Sequence, residues 1–401
     1  MPTEAPLRIL FPTRFHIFDQ LVALSSLEIE IYSIYPAYYF RRGPYRALEA
    51  QNHTLWLGLA LRGLMLLAAK MGLRGAPIRL LRSLYISGCG LEFYLRTRNA
   101  PLGTIMSSAG YLGSLAAKFQ RRGHRVVINH GSLYEADVRD RLRNLLGTAK
   151  GEVNNWSNPD LIARMDMEFE TVDLIIVCSP IALGGFPRML QSKIVVVPLG
   201  VSEAFAAASY NTSACVAENG TTFLHISNLS FGKNVANVID AFLAICGPDD
   251  RMIIGGPAPQ DPALRERLTA PGVQWLGRLD RAGVAKALAA ADIFVHPSFA
   301  DGWAMAVTEA LAAGLPVVAS PFVGSASYYA AMKGGGTSVL LPDPTDIAAI
   351  AAAMAQLRQT LKDDPNFVPI VPMTWDESAV LLMQALAPLH QYVTLAESGT
   401  A

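Results

Sequence analysis

Apolar positions along the chain fall into short continuous runs, separated by stretches in which they recur every three or four residues. In the first half, the runs at 8–11 and 29–34 predict strands around a short helix. Further strands are expected at 104–107, 126–130, 174–178 and 194–197, with helical spacing over 111–122 and 159–171. The second half repeats the rhythm, with strands expected at 222–226, 252–254, 273–276, 293–296, 317–320 and 339–341. Helices at 234–246, 261–269, 281–290, 304–313 and 345–361 alternate with them. Such alternation predicts parallel sheets covered on both faces. Two units in series make a two-domain α/β protein with Rossmann-like halves, whose ligand cleft lies between the domains at the carboxyl ends of the strands. Small and polar residues dominate 198–221, where neither period survives, so the boundary is expected there.

Composition narrows the class. At 401 residues and 51% hydrophobic content the chain is neither disordered nor fibrous. Lys plus Arg and Asp plus Glu both number 33, which excludes a chain-wide nucleic-acid footprint. Cys89, Cys178, Cys215 and Cys246 lie far apart without a CxxC, against a disulfide scaffold or zinc knuckle and in keeping with a reducing cytosol. The first fifteen residues lack a charged segment followed by an apolar core, so no signal peptide is expected. The most apolar window, 55–69, is short and interrupted by Arg62, and is not expected to span a bilayer.

Residues 41–100 break the first domain's rhythm. They carry ten Lys and Arg against Glu49 and Glu92, a balance of +8, among Trp56, Tyr45, Tyr85 and Tyr94. One reading is a solvated, arginine-rich helical face. The other is a surface lying on an anionic membrane with its apolar side down, and the combination of apolar bulk with one-sided charge favours it.

Most of the chemistry lies between Asp292 and Ser320. A strand ends at His296-Pro297-Ser298, a loop of small residues follows, and a helix opens near Trp303. A helix N-terminus directly after a strand offers N–H groups to an anion, with the dipole adding up to about 1 kcal/mol. Gly302 and Ala304 let a diphosphate approach that backbone, ahead of Met305. Asp301 precedes the helix and Glu309 lies inside it. Glu309 is placed to accept hydrogen bonds from a ribose diol, and Asp301 to reach the hydroxyls of a bound sugar.

This stretch resembles the donor-binding signature of family 4 glycosyltransferases: a Pro-Ser pair, an E-G-F-G loop, and two glutamates with seven residues between them, continuing E-A-x-A-x-G-x-P-V-V-A-S. Pro297-Ser298 and Glu309 through Ser320 match, whereas Asp301 replaces the first glutamate and Ala304 the second glycine. Val197-Pro198-Leu199-Gly200-Val201 resembles the V-P-N-G-V hinge of that family. The run Ser227 to Asn234 resembles its G-R-L-x-x-x-K-G diphosphate loop, with Lys233 in place and Asn228 where the arginine stands. Trp275-Leu276-Gly277-Arg278-Leu279 resembles the F-L-G-x-V strand end beside the nucleotide base, and Thr374-Trp375-Asp376 the S-W-E before the final helix. The resemblance covers 195–385; over 1–195 only the strand–helix rhythm supports it.

What the resemblance implies is a GT-B fold, α/β, with two Rossmann-like domains whose parallel sheets face a central cleft. Residues 1–200 would form the acceptor-side domain and 201–385 the sugar-nucleotide domain, with 386–401 returning to the first. It further implies a retaining glycosyltransferase that takes a sugar from a UDP- or GDP-linked donor to a glycan or lipid-linked glycan, in bacterial surface polysaccharide synthesis. Lys233, the helix start at 302–305 and Asn228 would meet the diphosphate, with Arg14 and Arg278 as substitutes for the missing arginine. Asp301 would orient the sugar, and His130, at a strand end in Asn129-His130-Gly131, would face it unless it is a structural histidine. Arg14, His16, Ser108 and Gly110 are further candidate contacts, each with a plain turn as its alternative. Without an Asp-x-Asp or a His/Asp cluster at metal spacing, neither a divalent metal nor a separate cofactor is expected. The rival readings are a GT-B sugar-nucleotide epimerase and a non-catalytic sugar-nucleotide-binding protein. The expected location is cytoplasmic, peripheral on the inner face of the plasma membrane if 41–100 lies on lipid.

Overall fold

The computed structural model describes residues 6–12, 17–41, 45–146, 159–206, 220–332, 335–364 and 367–397. Among them run two wholly parallel sheets. The first contains β1 (Leu7–Leu10), β2 (Ile29–Ser33), β3 (Asn52–Thr54), β4 (Thr104–Ser108), β5 (Arg125–His130), β6 (Leu174–Val177) and β7 (Ile194–Val196), in the order β3-β2-β1-β4-β5-β6-β7. The second contains β8 (Thr222–Ile226), β9 (Arg251–Gly255), β10 (Val273–Gly277), β11 (Ile293–His296), β12 (Val317–Ala319) and β13 (Val339–Leu340), in the order β10-β9-β8-β11-β12-β13. This is the two-domain, Rossmann-like GT-B architecture that the motifs implied.

The central strands are continuous apolar runs because helices cover both faces; β1, β11 and β12 are buried at every position. Edge strand β3 has the polar sequence Asn-His-Thr and no apolar run to mark it. Strand order reverses between β1 and β4 in the first sheet, and between β8 and β11 in the second. At such a switch point neighbouring loops run to opposite faces, which opens a crevice at the carboxyl ends. The loops after β8 and β11 are those that carry Asn228, Lys233 and Asp301.

Two crossing segments join the domains. Val201 N–H donates to the Met373 carbonyl at 2.9 Å. A Cβ on Gly200 would fall 2.4 Å from the Thr374 carbonyl oxygen, so only glycine allows this approach. The last helix, Trp375–Glu397, then leaves the second domain: Ala379, Leu382 and Leu386 share an apolar cluster with Ile17, Phe18 and Leu21. Gln20 donates to Ser378 O at 3.1 Å, and the Ser378 hydroxyl donates to Pro198 O at 2.6 Å. The return to the first domain is thus anchored well before residue 386.

Where a helix was expected over 111–122, only Leu115–Gln120 is helical. Gly110 and Gly113 adopt φ of 88° and 53°, conformations that turn the chain before the helix begins. Residues 56–97 form a hairpin of two helices, Trp56–Lys70 and Ala76–Thr97. They pack closely at their base, where a Cβ on Gly58 would lie 2.5 Å from Cys89 Sγ. No helix among the described residues is long and apolar enough to cross a membrane.

Candidate active site

The loop after β11 is tied to the loop after β8. Phe299 N–H and the Ser298 hydroxyl both donate to Gly232 O, at 2.9 and 2.8 Å. Asn234 stands where the resembled motif has glycine and adopts φ 59°, a left-handed conformation that asparagine tolerates better than most residues. Its amide donates to Pro297 O and Pro344 O, at 3.0 and 2.7 Å. Backbone strain and side-chain bonding together fix Lys233 beside the β11 loop.

That placement pairs Lys233 with Asp301, which also lies 3.5 Å from His296 Nε2 and accepts the Ala304 N–H at 3.0 Å. Asp301 is therefore a largely buried partner of the lysine rather than an exposed loop tip. Burial alone would raise its carboxyl, but the Lys233 ammonium and His296 outweigh it and hold the group well below the ordinary carboxylate range. Behind them, His296 stacks on His225, ring centroids 5.2 Å apart. Burial pushes both imidazoles down, that of His225 to about 3. His225 Nδ1 faces Val295 O at 2.7 Å and Nε2 faces Ser227 Oγ at 2.8 Å, so the stack is rigidly held.

The helix Met305–Ala312 begins after Ala304, which takes φ 62°, and no described side chain caps it. A glycine at this position in the resembled motif is therefore a conformational requirement that Ala304 meets under strain. Met305, the first residue of this helix, and Glu309, one turn in, line a cleft of about 440 Å³ together with Leu279, Arg281, Phe205 and Trp375. Asp19 and Tyr45 of the first domain close its far side, Tyr45 donating to Asp19 at 3.1 Å. Burial raises Glu309 to about 7, with Arg281 drawing it down and Asp19 pushing it up.

Of the strand-end candidates, Leu279 lines this cleft, whereas Arg278 is exposed and outside its lining. Gly277 turns the chain with φ 71°, and Asp280 caps the following helix through Gly283 N–H at 2.8 Å. That turn makes Arg281, not Arg278, the cation of the cleft; its guanidinium lies 5.4 Å from the Phe205 ring centroid. Asn228 is exposed and bonded locally to Ser230 N–H at 3.2 Å. Trp303 is buried against Tyr328 and Tyr329. It shapes the loop from behind.

The first domain meets this wall at Gly302. A Cβ there would fall 2.8 Å from Ser132 Cα, and the Gly302 carbonyl accepts from Ser179 Oγ at 3.0 Å and Cys178 Sγ at 3.2 Å. Phe299 and Ala300 join the first domain's cluster around Leu133 and Phe186, and Arg141 lies 4.3 Å from the Phe322 ring centroid. His130 is 3% exposed, with Nε2 facing Leu133 O at 3.2 Å and Glu135 at 3.5 Å, and supports the loop that touches Gly302. Ser108 ends β4, half-buried. The N–H groups of Gly110 and Gly113 donate to the two oxygens of buried Glu168, each at 2.5 Å, and Arg164 holds the Gly110 carbonyl. Gly110 is thereby committed to a structural clamp. Arg14 and His16 lie outside the described residues. Among the described residues no three His, Cys, Asp or Glu side chains gather as metal ligands.

Comparisons with known proteins agree with this architecture. Residues 220–360 match the family model described as Glycosyl transferases group 1. Over 156 residues the chain is 31% identical to the GDP-mannose-dependent alpha-(1-6)-phosphatidylinositol dimannoside mannosyltransferase of Mycobacterium tuberculosis (strain ATCC 25177 / H37Ra), a match spanning 37% of this chain and 41% of that protein. It is 34% identical over 102 residues to the O-antigen chain mannosyltransferase B of Escherichia coli, covering 25% and 24% of the two chains. The matched stretch thus spans less than half of these relatives. Among solved structures, sucrose-phosphate synthase from Thermosynechococcus elongatus superposes with a TM-score of 0.67 at 14% identity, covering 96% of this chain and 99% of that one. Anabaena HepE in complex with UDP and glucose superposes with a TM-score of 0.57 at 18% identity, over 98% and 100%. The structural likeness shows the fold, and the match to the group 1 glycosyltransferase model is confined to residues 220–360, within the second domain.

Proposed function

We propose, from a group 1 glycosyltransferase domain set in a GT-B fold, that the protein is a retaining, metal-independent glycosyltransferase using a nucleotide-diphosphate sugar. The observation that carries this is the pairing of Lys233 with Asp301 at the β8/β11 switch point, in the loop just before the uncapped helix start after Ala304, with Glu309 of the same helix lining the adjoining cleft. The diphosphate meets the lysine and the helix N-terminus, the ribose diol donates to Glu309, and the base lies toward Leu279 and Arg281. In the free protein Asp301 neutralises Lys233. An incoming diphosphate competes for the ammonium and leaves Asp301 to accept from the sugar's hydroxyls. Leaving-group charge is stabilised by donors already fixed in place, the usual largest contribution to such catalysis. With Asp301 taken up by the sugar's hydroxyls rather than attacking the anomeric carbon, retention proceeds by front-face substitution, in which the departing phosphate takes the acceptor's proton.

The relatives matched here are named for mannosyl transfer, one of them for GDP-mannose, which makes GDP-mannose the first donor to test and a glycan or phospholipid-linked glycan the acceptor class. A place in bacterial surface polysaccharide or glycolipid assembly follows from that acceptor class. Thermal shift across UDP- and GDP-sugars tests the reading, since a binder raises the melting temperature by mass action. Binding followed by slow donor hydrolysis supports the transferase. Binding without turnover under any acceptor supports a non-catalytic relative, and no binding at all removes the proposal. Activity is expected to survive EDTA; loss with EDTA and recovery with manganese would show that Lys233 and the helix are not the main phosphate partners.

A further inference from the structure

The helical hairpin at 56–97 has a base and a tip of different character. At its base, Glu92 accepts the N–H groups of Trp56 and Leu57 at 3.0 and 2.9 Å, and Tyr85, Cys89 and Phe93 are buried in the first domain's core. At its tip, Leu64, Leu67, Met71, Leu73, Leu80 and Leu84 are all exposed, Met71 to 73% and Leu80 to 61%. Between them stand Lys70, Arg74, Arg79 and Arg82, likewise exposed. From residue 50 to 91 the sequence contains no Asp or Glu. An exposed apolar patch of this kind marks an interaction site.

The direction of the tip follows from the sheet. The first helix starts two residues after the carboxyl end of β3. On the second helix, Gly90 lies level with the loop after β4, where a Cβ would stand 2.0 Å from the Tyr111 carbonyl oxygen. That helix ends at Thr97 and feeds the amino end of β4 at Thr104, so its earlier turns run past the sheet's carboxyl edge. At 1.5 Å per residue, Ala76 is about 20 Å beyond Gly90. The tip therefore projects on the same side of the first sheet as the loops that meet Gly302.

We propose that this tip is a docking element for an anionic lipid bilayer, seating its leucines at the level of the acyl chains and its four cations among the headgroups. Charge selects this occupant. A second copy of the chain meeting the same face across a two-fold axis would set four cations against four with no acid on either tip, whereas a phosphate-rich surface complements them. Neither hairpin helix is long and apolar enough to cross the bilayer, so the element rests in the interface. The inference needs no donor or turnover; only its use, bringing the cleft to a lipid-linked acceptor, rests on the proposed transferase activity.

Sedimentation of the full chain with phosphatidylcholine vesicles containing phosphatidylglycerol tests it. Binding is expected at low salt, and is expected to vanish with phosphatidylcholine alone. The triple variant Arg74→Glu, Arg79→Glu, Arg82→Glu is expected to bind at least about a hundredfold more weakly, from the loss of roughly a factor of five per cation. Leu67→Asp with Leu80→Asp is expected to abolish insertion with an unchanged thermal midpoint, since these side chains touch little of the core. Equal binding to neutral vesicles, or none to anionic ones, overturns the proposal. So does a dimer in sedimentation equilibrium that the leucine variants dissolve, which would give the face to a second copy. Donor-induced thermal shift, read on the same samples, separates this failure from failure of the transferase reading.

Discussion

The two walls of the cleft are built by different means. The second-domain wall presents charged side chains: Glu309 lines the cleft from the helix that follows the loop in which Asp301 pairs with Lys233. On the first-domain side Asp19 and Tyr45 close the cleft, while the contacts that seat that domain against the second run through backbone and hydroxyl groups, with Gly302 against Ser132 and Ser179. Charge-bearing chemistry leaves a residue-type trace that spacing can reveal. Close backbone approach leaves only scattered glycines and serines, which occur in any turn.

The largest expected difference between the walls is catalytic. Lys233→Ala should reduce turnover about 10²- to 10³-fold, the usual consequence of losing one preorganised partner of a developing charge. The variant also leaves Asp301 beside His296 without its cation, which should cost about 1–3 kcal/mol of stability. Adding Asp301→Asn should restore stability but not turnover, as read by melting temperature and donor hydrolysis. If the double variant recovers both, Lys233 is structural and the comparison between the walls fails. Glu309→Ala should weaken donor binding by about 2–3 kcal/mol, roughly 30- to 150-fold, through two lost charge-assisted ribose hydrogen bonds. Calorimetry giving equal affinity for wild type and variant would take the ribose away from Glu309.

The order of Lys233, the helix start after Ala304 and Glu309 was legible in the sequence because each is a residue type or turn that spacing alone reveals. Arg278 lies outside the cleft's lining. The turn at Gly277 and the Asp280 cap place the cleft cation three residues later, which no side-chain pattern signals. Asp19 and Tyr45 escaped notice because they reach the cleft only through the fold of the first domain. The 111–122 helix was overextended because the Glu168 clamp on Gly110 and Gly113 comes from more than fifty residues away. Residues 41–100 showed their charge imbalance at once, but the separation into a buried base and an exposed tip required the packing of Gly58 on Cys89.

Acidity sharpens the contrast. Burial raises Glu309 to about 7, so the folded, ligand-free protein binds more protons than the unfolded chain between about 4.5 and about 7. The contribution of this group therefore makes the free protein lose stability as pH rises through that window. Ribose hydroxyls prefer the ionised carboxylate, so donor affinity should instead rise with pH, being about tenfold weaker one unit below the pKa than on the plateau above it. A nucleotide sugar is the proper titrant, because it lacks a terminal phosphate that ionises in the same range. Glu309→Gln should flatten the profile. A wild-type affinity that is constant across this range would place the carboxylate away from the ligand.

The smallest effect expected concerns the backbone of the charged wall itself. Ala304 holds φ 62° immediately before the helix whose N-terminus is to meet the diphosphate. A left-handed conformation costs an L-residue with a Cβ roughly 1–2 kcal/mol, and glycine avoids that cost while adding some unfolded-chain entropy. Ala304→Gly should therefore stabilise the protein by about 0.5–1 kcal/mol, and Ala304→Val should destabilise it by more, because a β-branched side chain fits this conformation poorly. Asp301 accepts the Ala304 N–H, so the turn is already pinned from the side-chain direction, and donor affinity should change little in the glycine variant. Denaturant unfolding of the three proteins gives the order. Should glycine prove less stable than alanine, the strain is offset by contacts of the Ala304 methyl with the cluster around Trp303 and Tyr329, and the second-domain wall would owe its shape to packing as much as to charge.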